Sequence, residues 1–247
     1  MLGIIGGSGL TKLPNLEITR QQAVRTPWGD PSSMLIFGIL AGREVAFLAR
    51  HGHDHTIPPH RINYRANLWA MRAEGVGEIA AVFSVGGIGP DLGPGAIVVP
   101  DQIIDYTHDR AHTLFDGADR NVVHIDFTRP YTQSVRAALL AAAERAGIPA
   151  RDGGVYGAVN GPRLETAAEI DRLDRDGVTV VGMTGMPEAS LARELGLHYA
   201  GLAVSVNHAA GRGHSAEQIS LEQIKEALEP AMVRVRQILE SWVHHHD

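Results

Sequence analysis

The sequence contains no cysteine, so the chain has neither a disulfide bond nor a thiol nucleophile. No run of residues approaches the roughly 20 apolar positions that a transmembrane helix needs. The N-terminus also lacks a basic region and a long apolar region. Its only apolar stretch, Leu2 to Ile5, is too short for a signal peptide. We therefore expect a cytoplasmic protein with no membrane partner.

Basic runs are missing as well. The formal net charge is −6 and the Lys and Arg residues are scattered along the chain, whereas proteins that bind nucleic acids normally carry a basic face. We therefore expect no nucleic-acid partner. A small anionic substrate is still compatible with this composition, because a few local donors can hold a phosphate group whatever the global charge.

Short β-like runs alternate with helical stretches along the whole chain, and no linker or internal repeat interrupts them. This pattern predicts an α/β fold in one domain over residues 1–243, followed by a tail at 244–247 that is either native or vector-derived. The expected strands are Leu2–Ile5, Met34–Leu40, Val45–Ala49, Ile79–Val85, Ala96–Val99, Val155–Val159, Val178–Met183 and Tyr199–Val206. The expected helices are Asn63–Ala73, Thr132–Arg145, Glu165–Asp174, Pro187–Leu195 and a last one from Leu221 to Trp242.

A glycine-rich turn follows the first strand and contains Ser8. Glycines let backbone N–H groups approach an anion closely, and the Ser8 hydroxyl adds a further donor. A dinucleotide-binding fingerprint fails on spacing, because Lys12 occupies the position of its third glycine. Taken alone, the segment favours a simple tight turn.

The segment from Arg50 to His55 leaves a strand and enters a loop. Arg50 can grip phosphate through its planar guanidinium fork, and His51 can donate to a second phosphate oxygen. As an alternative, the segment provides candidate metal ligands of a hydrolase, namely His51, His53, Asp54 and His55. That site would need further ligands from distant parts of the chain, and an arginine beside the first ligand would repel a cation.

Four other polar residues stand near strand ends or a helix start, and each also has a purely structural explanation. Thr184 can offer a hydroxyl to an anion, and Ser84 stands at a strand end rich in glycine. Glu165 can accept a hydrogen bond from a ring N–H, although it also suits the positive end of a helix. Asn207 can give a base both a donor and an acceptor, although it also suits a turn.

The order and spacing of these segments resemble one family over nearly the whole chain, the trimeric purine nucleoside phosphorylases, and within them the 5′-methylthioadenosine phosphorylase branch. The resemblance implies a phosphorylase-like fold with a mixed, twisted β-sheet flanked by helices, and a homotrimer. It also implies a pentosyltransferase that converts a purine nucleoside and inorganic phosphate to a free base and a ribose 1-phosphate, as in purine salvage. Phosphate is then a co-substrate, and neither a metal nor another cofactor is needed. The matching segments are Gly6–Leu10, Ala49–Gly52, Asn63–Ala70, Gly161–Arg163 and Met183–Glu188.

The resemblance also assigns roles to individual residues. On the nucleoside side, it places Met183 under the ribose, Leu164 against the base, and His124 in the neighbouring subunit's site near the 5′ group. Leu221 and Ile224 would line the 5′-alkylthio pocket. The phosphate-binding positions are Ser8, Arg50, His51, Thr184 and the backbone of Ser84.

The base site departs from the methylthioadenosine branch, which usually carries two aspartates where Asn207 and Ala209 stand and a small polar residue where Glu165 stands. Glu165 with Asn207 instead resembles the pair in phosphorylases for 6-oxopurines. Hypoxanthine offers an N1–H to Glu165 and an O6 acceptor to Asn207. Adenine would set a bare lone pair against the carboxylate, a mismatch that costs about 1–3 kcal/mol. We therefore predict 5′-methylthioinosine as the substrate, with Asn207 and Glu165 as the catalytic residues that stabilise the departing purine.

Phe83 is a further departure, because the family usually has Thr or Asn there and a phenyl ring cannot bind phosphate. The neighbouring Ser84 hydroxyl can compensate. The alternatives are a methylthioadenosine phosphorylase, an inosine or guanosine phosphorylase, a relative that binds nucleosides without turnover, and the metal-dependent hydrolase described above.

Overall fold

The computed structural model describes residues 1–117 and 122–246. In that part of the chain it contains eleven β-strands and five α-helices, and none of these helices is both long and apolar enough to cross a membrane. The strands are β1 (Leu2–Gly6), β2 (Glu17–Gln22), β3 (Leu35–Leu40), β4 (Arg43–Ala49), β5 (Glu78–Gly87), β6 (Ile97–Val99), β7 (Gln102–Asp105), β8 (Arg151–Asp152), β9 (Val155–Ala158), β10 (Val180–Gly182) and β11 (His198–His208). The helices are α1 (Tyr64–Ala73), α2 (Gln133–Arg145), α3 (Ala167–Arg175), α4 (Gly185–Glu194) and α5 (Leu221–His244).

All the strands belong to one mixed sheet with β5 at its centre. β5 pairs in parallel with β1 on one side and with β11 on the other, and β1 is parallel to β4. β10 pairs antiparallel with the end of β5. Beyond β10 the sheet continues with β9 and then β7, and each of these strands is parallel to the one before it. The carboxyl ends of β1, β4, β5 and β11 therefore meet at one edge of the sheet, where ligands bind in α/β proteins.

The central strands are buried on both faces, which explains why they are continuous apolar runs. Every residue of β1 is buried, and so are eight consecutive residues of β11. Helices α2 and α5 pack against each other and against β11. The apolar face of α5 is buried from Ala231 onward, at Met232, Val235, Leu239 and Trp242 among others.

Side chains next to the site fix where three helices begin. Asn63 caps α1 by accepting from the backbone N–H of Ala66, and Ser220 caps α5 in the same way. Thr166 and Glu169 form a capping box at the start of α3, directly after Glu165. These caps fix the ends of the loops that carry the site residues.

The prediction of a single-domain α/β fold with a mixed sheet flanked by helices is confirmed, and each expected helix and strand is present with small shifts at its ends. The sequence analysis missed three strands, β2, β7 and β8. β2 is a polar strand at the edge of the sheet and is exposed along nearly its whole length, so it lacks the apolar pattern that identifies a strand. β8 has only two residues.

Candidate active site

A cavity of about 200 Å³ lies where the central parallel strands end, and most of the predicted site residues form its wall. The structure therefore brings together segments that are far apart in the sequence. The predicted residues in the wall are Ser8, Arg50, His51, Ser84, Leu164, Glu165, Met183, Thr184, Asn207 and Ile224. The wall also contains Gly7, Pro59, Val85, Gly86, Val181, Gly182, Val206 and Leu228, which the sequence analysis did not single out.

Three predicted nucleoside-binding residues are not in this wall. Ala209 is buried in a small apolar cluster with Ile88 and Ile170, because the chain turns inward after β11 and the Ala209 N–H donates to the Gly87 carbonyl. Leu221 is the first residue of α5 and is 65% exposed. Its place is taken by Leu228, one turn beyond Ile224 on the same helix face. His124 is exposed at the surface, and its predicted role in a neighbouring subunit stays a prediction.

The turn after β1 brings backbone, hydroxyl and guanidinium groups together. A Cβ at Gly7 would lie 2.7 Å from the Val82 carbonyl oxygen and 2.9 Å from Nη1 of Arg50, so this close approach requires glycine. Ser84 Oγ donates to the Ser8 carbonyl at 3.1 Å, and Ser8 Oγ lies 3.3 Å from Nε2 of His55. The glycine-rich segment is therefore part of the cavity rather than a simple turn.

Arg50 follows β4 and is fully buried. Its Nε and Nη2 donate to the two carboxylate oxygens of Glu188 at 2.6 and 2.7 Å, and its Nη1 donates to the Val82 carbonyl at 2.8 Å. These bonds use three of the five N–H groups of a guanidinium, which leaves two. The planar fork that we expected to grip phosphate therefore holds a carboxylate, and only the two remaining N–H groups are available to an anion.

Glu188 is also fully buried, and the Tyr199 hydroxyl donates to it at 2.7 Å. Burial by itself lowers the pKa of Arg50, but the charge and hydrogen bonds of Glu188 outweigh it and hold that pKa above its usual value. The guanidinium is thus charged, rigidly placed and already neutralised by its partner. An anion at this end of the cavity is held by directed N–H groups more than by net positive charge.

His51 is fixed in one tautomer. Its Nδ1 donates to the Ile57 carbonyl at 2.8 Å, since a carbonyl can only accept. Burial lowers the pKa of His51 to about 4; the bond to Ile57 opposes this shift, and the charge of Arg50 adds to it. The ring is therefore neutral near pH 7 with Nε2 as an acceptor. Instead of donating to a phosphate oxygen as expected, it is suited to accept from the hydroxyl of hydrogen phosphate.

Thr184 stands between β10 and α4 and is 7% exposed. It precedes α4, and its hydroxyl makes no capping hydrogen bond. Its backbone N–H lies 3.3 Å from the Tyr156 hydroxyl, and its side chain also bonds to Tyr156. Because Met186 has non-helical φ and ψ of −120° and 142°, the regular turns of α4 begin only at Pro187, and Thr184 lies in the short segment before them.

A β-bulge directs Asn207 into the cavity. The pairing of β11 with β5 shifts between Ser205 and Asn207, and both Val206 and Asn207 line the wall as a result. Asn207 Nδ2 donates to the His208 carbonyl at 2.6 Å. The amide oxygen and the second N–H of Asn207 remain for a base, which fits the donor and acceptor role predicted from the sequence.

Glu165 and Leu164 line the same cavity, and Glu165 also borders a neighbouring cleft. Burial raises the pKa of Glu165, and the side chain stays separate from the nearby ion pair of Arg163 with Glu169. Leu164 is 37% exposed. Gly161, with φ of +60°, leaves room for Met183, whose sulfur would lie 2.4 Å from a Cβ at that position. The cavity is therefore less enclosed around Leu164 than around Arg50, His51 and Thr184.

The Phe83 ring points away from the cavity and is 1% exposed. It packs edge-on against Tyr156 with a centroid distance of 5.2 Å, and the Arg50 Cζ lies 5.1 Å from its ring centre. Gly201 on β11 makes room for the ring, because a Cβ there would come within 2.5 Å of it. Phe83 therefore supports Arg50 from behind, while Ser84 faces the cavity.

The alternative metal site has no geometric support within residues 1–117 and 122–246. No group of three or more potential ligands converges there. His51 Nδ1 is bonded to a carbonyl, and the His51 and His55 rings pack against each other with centroids 4.5 Å apart.

A larger cleft of about 520 Å³ borders the same loop on its other side and shares Glu165 with the first cavity. Both arginines of its lining have carboxylate partners: Arg163 pairs with Glu169, and Arg172 lies 3.9 Å from Asp176 outside the lining. None of the predicted phosphate-binding residues lines it. The smaller cavity is therefore the candidate active site.

Comparison with known proteins relates this site to a family. A model described as "Phosphorylase superfamily" matches residues 1–244. The chain is 51% identical over 236 residues to a protein of Pseudomonas syringae pv. tomato named "Probable S-methyl-5'-thioinosine phosphorylase", covering 96% of this chain and 95% of that protein. It is 44% identical to the 6-oxopurine nucleoside phosphorylase of Pyrococcus furiosus, covering 92% and 86% of the two chains. Among solved structures, the methylthioadenosine phosphorylase of Schistosoma mansoni in complex with adenine superimposes with a TM-score of 0.93 at 33% identity, over 98% of this chain and 90% of that one.

Proposed function

Because this chain belongs to the phosphorylase superfamily, we propose that it catalyses the phosphorolysis of 5′-methylthioinosine to hypoxanthine and 5-methylthioribose 1-phosphate, in purine salvage. The observation that carries the proposal is the single cavity that joins a buried anion-binding end to a Glu165–Asn207 pair. Relatives named as methylthioinosine and 6-oxopurine phosphorylases support the same substrate class.

Phosphate binds at the deep end of the cavity. The free N–H groups of Arg50, the Thr184 hydroxyl and the turn at Ser8 supply donors, and His51 Nε2 accepts from the hydroxyl that hydrogen phosphate carries. Because Arg50 is already neutralised by Glu188, the dianion keeps much of its negative charge, and that charge faces the ribose.

The base binds between Glu165 and Asn207. Ionised Glu165 accepts from N1–H of hypoxanthine, while the Asn207 amide donates to O6 and contacts N7. Adenine has no hydrogen on N1, so it would place two acceptors face to face in a partly buried site, at a cost of about 1–3 kcal/mol. A site built on such polar contacts discriminates strongly between bases that differ in one hydrogen.

The reaction breaks the bond between C1′ and N9, and its electron pair moves into the purine ring. A phosphate oxygen then forms the new bond to C1′, which carries oxocarbenium character in between. Asn207 and Glu165 stabilise the negative charge on the departing purine, and the phosphate charge stabilises the sugar. Phosphate is the nucleophile, so the proposed reaction requires neither a metal nor another cofactor.

The 5′-methylthio group lies against Ile224 and Leu228, the two apolar residues that α5 contributes to the wall. We place the protein in a homotrimer, in which His124 of one subunit completes the 5′ end of its neighbour's cavity. His124 is exposed on its own subunit, as such a role requires. The absence of cysteine is in keeping with a cytoplasmic location.

The test is phosphate-dependent cleavage of 5′-methylthioinosine, 5′-methylthioadenosine and inosine, compared by kcat/KM. We expect methylthioinosine to be favoured over both others. Preference for methylthioadenosine would contradict the roles of Glu165 and Asn207 while leaving the phosphorylase chemistry intact. Cleavage that does not depend on phosphate would contradict the reaction itself.

A further inference from the structure

Arg110 is a buried arginine near the candidate site that the proposed reaction does not use. It lies in the segment after β7 and is 8% exposed. Within residues 1–117 and 122–246, all its hydrogen bonds go to neutral oxygens: Nη1 donates to the carbonyls of Met183 and Met186 at 2.9 and 2.6 Å, Nη2 to the Asn160 carbonyl at 2.8 Å, and Nε to Asn160 Oδ1 at 3.2 Å.

The two methionine carbonyls lie on either side of Thr184. Arg110 therefore holds the short segment that places the Thr184 hydroxyl at the phosphate end. Nη1 also donates to the Tyr64 hydroxyl at 3.2 Å, and that hydroxyl donates to the carbonyl of Pro59, another residue of the cavity wall.

Asn160 lies on the other side of Arg110 and begins the loop that leads through Gly161 to Leu164 and Glu165. Nη2 also approaches the Val159 carbonyl at 3.4 Å, at the end of β9. One guanidinium is thus bonded both to the segment that carries Thr184 and to the segment that carries Glu165.

Only arginine can make this connection. Its planar group directs five N–H donors in fixed directions, whereas a lysine ammonium is a single point with three donors. A buried cation is costly unless polar groups compensate for its lost hydration, and the carbonyl dipoles around Arg110 do so because its guanidinium holds them in place.

We propose that Arg110 is a positioning residue that fixes the distance between the phosphate-binding segment at Thr184 and the base-binding segment at Glu165. This inference rests on the proposed function of the cavity. It predicts that loss of the guanidinium impairs the use of both substrates although Arg110 touches neither.

The test compares Arg110→Lys with a matched control, Arg136→Lys. Arg136 is 4% exposed, donates to the carbonyls of Pro100 and Val99 at 2.9 and 3.1 Å and pairs with Asp152, and none of these partners is in the cavity wall. Both variants lose buried hydrogen bonds to carbonyls. Urea unfolding reports their stability, and steady-state kinetics with each substrate varied reports KM and kcat.

We expect Arg110→Lys to raise KM for both phosphate and nucleoside and to lower kcat/KM by about 100-fold, because misplacement by about 1 Å costs that much. Arg136→Lys should lose stability and keep its kinetic constants. Equal kinetic losses in the two variants, or a change in KM for one substrate alone, would overturn the proposal. Should Arg110→Lys fail to fold, Asn160→Ala removes one acceptor of Arg110, and unchanged kinetics in that variant would overturn it.

A measurement without turnover separates this inference from the proposed function. Inorganic phosphate alone should raise the Tm of the wild-type chain and of Arg136→Lys, and should raise that of Arg110→Lys much less. If the wild-type chain binds phosphate but cleaves no nucleoside, the proposed function fails while the positioning role is still decided by the Tm shifts. Equal shifts in the two variants would contradict the positioning role.

Discussion

The two ends of the cavity are built differently. At the phosphate end, Arg50, His51 and Thr184 are each at most 7% exposed, and Arg50 and His51 are fixed by buried partners. At the nucleoside end, Leu164 is 37% exposed, and α5 is buried only beyond Pro230. The difference indicates that the phosphate end is formed before any ligand binds, whereas the nucleoside end is completed by the substrate and, in our proposal, by a second subunit.

The largest expected effect comes from disrupting the buried ion pair at the phosphate end. Glu188→Gln leaves the buried Arg50 without its counter-charge and should lower the free energy of unfolding by about 3–5 kcal/mol, with a large rise in KM for phosphate. Urea unfolding and phosphate kinetics measure both effects.

A matched control uses the exposed ion pair of the nucleoside end. Arg163→Met removes the partner of Glu169, and because the Arg163 side chain is 69% exposed, we expect the free energy of unfolding to change little. The double change Arg50→Met with Glu188→Leu should regain stability without regaining phosphate use. Similar losses at the two ends would remove the distinction between them.

A second prediction concerns how the free energy of unfolding depends on pH through His51. The pKa of His51 is about 4 in the folded chain and about 6.5 when unfolded, so the unfolded chain binds more protons between these values. Stability should be full above about pH 6.5 and fall by about 3 kcal/mol as the pH drops towards 4. His51→Asn keeps a donor to Ile57 but cannot titrate, so its unfolding free energy should depend less on pH in this window. An unchanged pH dependence would show that His51 is not neutral in the folded chain.

The sequence predicts that Arg50, His51 and Thr184 share one site, and all three line the cavity, but it does not predict how they are connected. Arg50, His51 and Thr184 follow strands and belong to recognisable motifs, so their convergence could be expected. The bond from Arg50 to Glu188 spans 138 residues, and no local pattern reports it, although Glu188 lies in the motif that begins at Met183. Arg110 belongs to no recognisable motif. Most of its partners are backbone carbonyls, and because every residue has a carbonyl, no residue type in the sequence marks them.

The nucleoside end was harder to predict because helix phase and strand irregularity decide it. Residues three or four positions apart share a helix face, so Leu221, Ile224 and Leu228 all lie on one side of α5, but only its tertiary packing determines which of them reach the cavity. The bulge that directs Asn207 is invisible in the sequence. Ala209 is outside the cavity wall because its side chain packs with Ile88 and Ile170, a tertiary contact that its position in the sequence does not show.

A third prediction places base selection entirely at the nucleoside end. Asn207→Asp supplies an acceptor for the adenine amino group and should raise the kcat/KM ratio of methylthioadenosine to methylthioinosine by about 10–100-fold, which corresponds to 1–3 kcal/mol of hydrogen bonding. KM for phosphate should change little. The control, Thr184→Val, should raise KM for phosphate and leave the ratio unchanged. A base ratio that responds to Thr184→Val as strongly as to Asn207→Asp would mean that the two ends are not separable.

The smallest expected effect concerns the start of α5, where the helix is least buried. Ile224 lines the cavity and Leu221, one turn earlier, is exposed. Ile224→Ala should lower the preference for methylthioinosine over inosine by roughly fivefold, since losing apolar contact worth one or two methylene groups costs about 1 kcal/mol. Leu221→Ala should leave that preference unchanged if α5 keeps this position when substrate binds. An equal loss of preference in both variants would instead mean that α5 or a neighbouring subunit closes over the 5′ group. The nucleoside end would then be as enclosed as the phosphate end once the substrate is bound.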